Sequence, residues 1–258
     1  MKNRLNIIAL TQARIGSSRL PSKVLKPVGS ETILSLHLHR LRQATLIDQI
    51  VVATTHEEDV ERIIAIAEES GTAYFQGDTH NVLDRFYQAA KLHKADYIVR
   101  LTSDCPLIDP KLIDQVITFT IDRKLDYGSN MLIEHYPDGQ DIEVFTFKAL
   151  EKAHQLAQLD SEKEHVTPYI VKRSTFKGGN QFIAENFSSS IDYSGVRMTI
   201  DEPQDYLTIK TLVKELGADV GWNEYTQHIL NYPAKFSNQK ITRNEGYLNS
   251  LKKEQSGK

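Results

Sequence analysis

Strand-like and helix-like stretches alternate along the first half of the chain. LNIIALTQ at 5–12 is an apolar run that turns polar at its end, as a buried strand does where it leaves a core. ETILSLHLHRLRQA at 31–44 carries its apolar residues at helical spacing, and QIVVATT at 49–55 is a β-branched run. EEDVERIIAIAEES at 57–70 is again helical, with Gly71 placed as a C-cap. AYFQG at 73–77 reads as a short strand, 81–94 as a helix, and ADYIVRLTSD at 95–104 as a strand; Pro110 then opens a helix to about Arg123. This alternation predicts an α/β fold with right-handed crossovers and a mainly parallel sheet flanked by helices. In such sheets ligands sit outside the carboxyl ends of the strands, so Ala13 and Arg14 should face one crevice with the stretch from Thr102 to Asp104.

The second half is less regular. IEVFTF at 142–147 is strand-like and 148–159 helical; SEKEHVTPYIVKR starts as a helix that Pro168 disturbs. QFIAENF and GVRMTID read as strands, 203–216 as a helix beginning at Pro203, and the polar tail from Gly221 as largely helical. With neither an internal repeat nor a linker in sight, the chain reads as one domain, 1–258, carrying an irregular insertion at about 126–200.

A net charge of −3 offers no general attraction for nucleic acid or an anionic membrane, so any anion must be bound by a few placed cations. The single cysteine, Cys105, excludes an intramolecular disulfide and a multi-cysteine metal site. No stretch approaches a membrane span and the N-terminus lacks an export signal, so the expected compartment is the cytoplasm.

Directly after the first strand comes ARIGSSRLPSK, where Arg14, Arg19 and Lys23 repel one another unless an anion lies between them. It is neither a P-loop nor a G-x-G-x-x-G fingerprint. Gly16 lets backbone amides approach an anion, and Ser17 and Ser18 add donors. Arg14 can grip phosphate oxygens bidentately while Lys23 supplies a compact charge, aimed by Pro21. A solvated basic loop is the plain alternative. Asp104 stands where a strand leaves the core, and Asp109, the natural cap of the helix at Pro110, frees it from that duty. It is then a turn residue or a ligand for a hard cation such as Mg²⁺, with Asp201 in MTIDEPQDY as the second acid unless that residue caps the helix at Pro203. Asp141 and Glu143 fall on one face of a strand and either bind substrate hydroxyls or face water. The histidines make no zinc spacing; His165, beside a proline break in EKEHVTPY, stands out among them.

ARIGSSRLPSKVLKPVG, HNVLDRFYQAA, VRLTSDCPLIDP, YPDGQDIEVF, EKEHVTPYI and RMTIDEPQDY, taken in this order, resemble the cytidylyltransferase family. The likeness spans nearly the whole chain. It is nearest the branch named for spore coat polysaccharide biosynthesis protein SpsF, and more distant from the synthetases of CMP-sialic acid and CMP-Kdo. The resemblance implies a Rossmann-like, nucleotide-binding sheet and a β-rich arm at 126–200 that forms a homodimer. It implies that Arg14 and Lys23, with Ser17, Ser18 and Arg19, hold the triphosphate of CTP, that Arg85 approaches the base, and that Asp104 and Asp201 bind Mg²⁺. Many relatives have glycine where this chain has Ser103, whose side chain either narrows the nucleotide pocket or adds a ligand. The implied reaction is attack of an acidic sugar's hydroxyl on the α-phosphorus of CTP, releasing pyrophosphate, for a bacterial surface polysaccharide. Among cations of the second half, Lys172, Arg173 and Arg197 are candidates to receive the sugar's carboxylate. Two other classes remain open: a nucleotidyltransferase using another nucleotide and a sugar 1-phosphate, and a nucleotide-binding protein without catalysis.

Overall fold

The computed structural model describes residues 4–17 and 19–255. Its first strand, β1 (Ile7–Gln12), is buried along nearly its whole length, and successive side chains feed opposite faces. Ile8 and Leu10 pack into one core and Ile7 and Ala9 into another. That double burial is why the segment reads as an unbroken apolar run. A small hairpin of β2 (Pro27–Val28) and β3 (Glu31–Thr32) precedes α1 (Ile33–Leu41), shortening at both ends the helix expected over 31–44. Then follow β4 (Gln49–Thr54), α2 (Glu61–Glu69), β5 (Ala73–Gln76), α3 (Val82–Leu92), β6 (Tyr97–Thr102) and α4 (Pro110–Asp122). Asp109 caps α4 by accepting from the N–H groups of Lys111 and Leu112, as its place before Pro110 predicts.

Next come β7 (Tyr127–Ser129), β8 (Glu143–Thr146), α5 (Phe147–Leu156), α6 (Asp160–His165), α7 (Pro168–Lys172) and β9 (Ala184–Asn186). The chain ends with α8 (Pro203–Leu216), α9 (Trp222–Asn231) and α10 (Glu245–Gln255). Seven strands form one sheet in the order β5-β4-β1-β6-β8-β7-β9. The pairs β5–β4, β4–β1, β1–β6 and β7–β9 are parallel, and β8 alone runs against its neighbours. From β1 the chain builds outward to β5, then returns to add β6 on β1's other side. That reversal places a crevice at the paired ends of β1 and β6, where Gln12 lies opposite Thr102.

The segment 126–200, expected as a β-rich arm, contributes to the main sheet. Its three short strands extend the main sheet, and α5, α6 and α7 supply more residues than those strands do. GVRMTID is extended but forms no strand, its one bridge joining Arg197 to Asp138. Two-residue periodicity still governs it: Val196, Met198 and Ile200 enter a third core with Ile209, Leu212 and Tyr225. Arg197, Thr199 and Asp201 are thereby turned the other way. The facing loop comes so near that a Cβ on Gly139, at φ +104°, would stand 2.7 Å from the carbonyl carbon of Met198.

Candidate nucleotide-transfer site

At the ends of β1 and β6 lies a cavity of about 790 Å³, lined by Ala13, Arg14, Ser17, Arg19, Lys23, Arg85, Ser103, Asp104 and Asp201 among others. Ser18 lies outside the described residues. Gly16 is not part of this lining; its backbone N–H donates to Glu57 Oε2 at 3.2 Å, so a carboxylate already holds the amide expected to cradle phosphate. The backbone N–H of Ile200 donates to Asp104 O at 2.9 Å, which sets the two acids side by side. Asp201 does not stand at the N-cap position of α8, which Glu202 takes, and buried Asp205 accepts from the N–H groups of both Asp201 and Glu202 at 2.9 Å.

Lys23 enters between these acids. Its ammonium donates to Asp104 Oδ2 at 2.8 Å, to Asp201 Oδ1 at 2.9 Å and to the carbonyl of Ile200 at 2.7 Å. Burial pulls its pKa down, and the Asp104 and Asp201 carboxylates more than offset this, leaving it above the ordinary lysine value. Burial pushes Asp104 up, and the adjoining Lys23 charge brings it down to about 2. Arg19 Nη2 reaches Asp201 at 3.1 Å, so in this state Arg19, like Lys23, faces carboxylates. Ser103 adds no projecting ligand: its hydroxyl donates to the Gln12 carbonyl at 2.7 Å and ties the ends of the two strands together.

Arg85, on the first turn of α3, is only 2% exposed, yet its Nε and Nη1 have no hydrogen-bond partner among the described residues. Burial, then the nearby Arg14 charge, lowers its pKa to about 10. A buried guanidinium with unused donors at a cavity wall is built to meet an anion or a carbonyl. Its stem fits only because residue 77 is glycine; a Cβ there would lie 2.9 Å from Arg85 Cγ.

The described residues contain no group of three or more metal-binding side chains. One ammonium nevertheless touches both Asp104 and Asp201, so one cation is able to contact both. Carboxylate oxygens suit a hard divalent ion whose other positions go to water and phosphate, and this donor set fits Mg²⁺ or Mn²⁺.

A family model described as cytidylyltransferase matches residues 8–238. The chain belongs to the cytidylyltransferase family. It is similar to the uncharacterized protein MJ1063 of Methanocaldococcus jannaschii, at 39% identity over 78% of this chain and 81% of that one. To the spore coat polysaccharide biosynthesis protein SpsF of Bacillus subtilis the identity is 34%, over 82% and 88% of the two chains. A cytidylyltransferase structure from Leptospira borgpetersenii superposes with a TM-score of 0.86 at 33% identity, covering 93% of this chain and all of that one. The cytidylyltransferase is accordingly a nucleotidyltransferase, and its sheet and helices match those of its relatives.

A second cavity of this cytidylyltransferase, about 720 Å³, adjoins the first and shares with it Gln12, Arg19, Thr102, Asp104, His165 and Asp201. Asp141 and Glu143 line it, but neither faces open water. Asp141 accepts from Arg243, while Glu143 accepts from Arg100, from the Tyr127 hydroxyl at 2.7 Å and from Thr167 Oγ1 at 2.5 Å. Arg197 is buried and tied to Asp205 and Asp138, and Arg173 is paired with Glu162. Of the three cations considered for an acceptor carboxylate, Lys172 remains; it lines the cavity, is exposed, and its ammonium has no hydrogen bond or ion pair among the described residues, and the ammonium of Lys177, beside it and over the Phe176 ring, is alike in this.

His165 lies at the junction of the two cavities, its Nε2 3.2 Å from Ser250 Oγ, and burial lowers its pKa. Val166 after it is fully buried at φ 71°, a strained conformation for a β-branched residue. Sequence reasoning passed over Asp138, Asp205 and Arg243. Asp205 had a signal, standing four residues after Asp201 and three after Glu202; Arg243, which reaches Asp141 from more than a hundred residues away, had none.

Proposed function

We propose that this cytidylyltransferase transfers CMP from CTP to a hydroxyl of an acidic sugar, with Mg²⁺ and release of pyrophosphate, in the cytoplasm. One observation carries the reading: two adjoining cavities meet at Asp104 and Asp201, one walled by Arg14, Lys23 and Arg85, the other opening toward Lys172 and Lys177. CTP lies in the first cavity, its triphosphate toward Arg14 and Lys23, its base toward the unused donors of Arg85. Asp104 and Asp201 are the residues that would hold Mg²⁺, which when bound withdraws charge from the phosphoryl oxygens. The acceptor occupies the second cavity, so its hydroxyl approaches the α-phosphorus from the side opposite the leaving pyrophosphate. The protein's contribution is mainly positioning and preorganised positive charge.

An acidic acceptor follows from the resemblance to the CMP-sialic acid and CMP-Kdo synthetases. It also fits the cavity, whose guanidinium groups are internally paired while Lys172 and Lys177 make no ion pair among the described residues. A homodimer through the segment 126–200 belongs to the same proposal, and the exposed Ile133, Ile183 and Ile191 in that segment supply apolar surface for it. Pyrophosphate release should be assayed with CTP, UTP, dTTP and GTP against acidic sugars, their reduced-carboxyl analogues and neutral sugar phosphates. Turnover is expected with CTP and the acid; preference for a sugar phosphate overturns the acceptor class.

A further inference from the structure

We propose that Lys23 is a place-holding cation, which stands in the divalent ion's position between Asp104 and Asp201 until a nucleotide's phosphates draw it away. The metal then arrives with the nucleotide rather than ahead of it. This deepens the proposed function and rests on its assignment of Asp104 and Asp201 as the metal's ligands. An ammonium has three donors, and all three of Lys23's are spent, on Asp104 Oδ2, Asp201 Oδ1 and the Ile200 carbonyl. Lys23 therefore cannot grip a triphosphate and keep these contacts. Nor can a cation bind both carboxylates while the ammonium stays between them.

The surroundings make the exchange feasible. The backbone at Lys23 is fixed by hydrogen bonds from Leu25 to Ser22 and from Lys26 to Lys23, and Val24 is buried, so the motion is confined to the lysine's flexible stem. Arg19 at 3.1 Å and Arg197 at 3.4 Å from Asp201 remain when the lysine leaves, so the acids never face each other uncompensated. Without nucleotide, the Lys23 ammonium fills the space between the two carboxylates, and Arg19 and Arg197, each shared with further acids, add positive charge beside Asp201, so a dication is held less strongly than by the bare pair. With nucleotide, the phosphates offer the ammonium a new partner and the metal additional oxygens, so each ligand strengthens the other.

The test is Mn²⁺ binding to nucleotide-free protein, followed by electron paramagnetic resonance and by thermal shift. Wild type should bind Mn²⁺ weakly and show little change in melting temperature. Lys23→Met and Lys23→Gln, each one atom shorter and without the charge, should each bind Mn²⁺ about ten-fold tighter or more and melt higher when it is added. Adding Asp104→Asn to either variant should abolish the gain. If one variant fails to fold, the other and the wild-type titration still decide. Equal, Asp104-dependent Mn²⁺ affinity in wild type and Lys23 variants overturns the place-holder and leaves the metal site standing. Absence of any Asp104-dependent binding, with or without CTP, overturns the metal assignment and the place-holder with it.

Discussion

Replacing Arg85 by methionine should make the free protein more stable and a poorer nucleotide binder. Arg85 is 2% exposed, two of its guanidinium nitrogens lack partners among the described residues, and burial with the Arg14 charge brings its pKa down to about 10. A displacement of that size corresponds to about 3 kcal/mol spent on keeping the cation charged inside the fold at neutral pH. Methionine retains the apolar stem that packs beside Gly77 and removes the charge. Part of the gain is offset by the space the guanidinium vacates, so Arg85→Met should gain about 1–2 kcal/mol. In a chain of this length that raises the melting temperature by a few degrees, at about 2–4 °C per kcal/mol. CTP, in turn, loses a charge-assisted contact worth about 1.5–3 kcal/mol, a drop in affinity of roughly ten- to a hundred-fold. Urea denaturation and calorimetric CTP titration measure the two effects on one preparation. A variant that is less stable and binds CTP normally would show that Arg85 is a structural residue whose partners are internal.

Gly77→Ala should lower CTP affinity several-fold, because the new Cβ, 2.9 Å from Arg85 Cγ, displaces the arginine; unchanged affinity in a calorimetric titration refutes the placement. Asp104→Asn should cut turnover far more than CTP affinity, as expected for a group that acts chiefly in the transition state, and steady-state kinetics separate the two. Lys172→Ala should raise the acceptor's KM by about ten-fold or more and spare CTP binding, in line with one charged contact of about 1.5–3 kcal/mol; an unaltered KM removes Lys172 from the acceptor site. His37 is fully buried between Thr11 Oγ1 and the Cys105 carbonyl, and burial lowers its pKa from 6.5 to about 4. The unfolded chain takes up a proton below pH 6.5 that the folded imidazole refuses until about pH 4, so His37's contribution is complete above that window and falls across it as pH drops. The loss amounts to about 3 kcal/mol, and His37→Gln should flatten that part of a denaturation profile taken across the same window.

Local chemistry sufficed for much of this protein. Strands β1, β4 and β6 were legible as continuous apolar runs because both their faces are buried, and α4 and α8 because proline sits at their first position. Asp104 and the loop after β1 stood at strand ends, where a parallel sheet exposes side chains to a crevice. β7 escaped notice because three residues carry too little periodicity, and GVRMTID shows strand alternation although it borders a core without joining a ladder. Only the tertiary structure could name the partners of charges. Lys23 meets Asp104 across 81 positions and Asp201 across 178, Gly16's amide goes to Glu57, and Asp141 and Glu143 are held by Arg243 and Arg100. Hydrophobic burial acts on every apolar residue alike and so leaves a period in the sequence. An ion pair depends on which two points of a folded surface coincide and how much water remains there, and no local spacing carries that information.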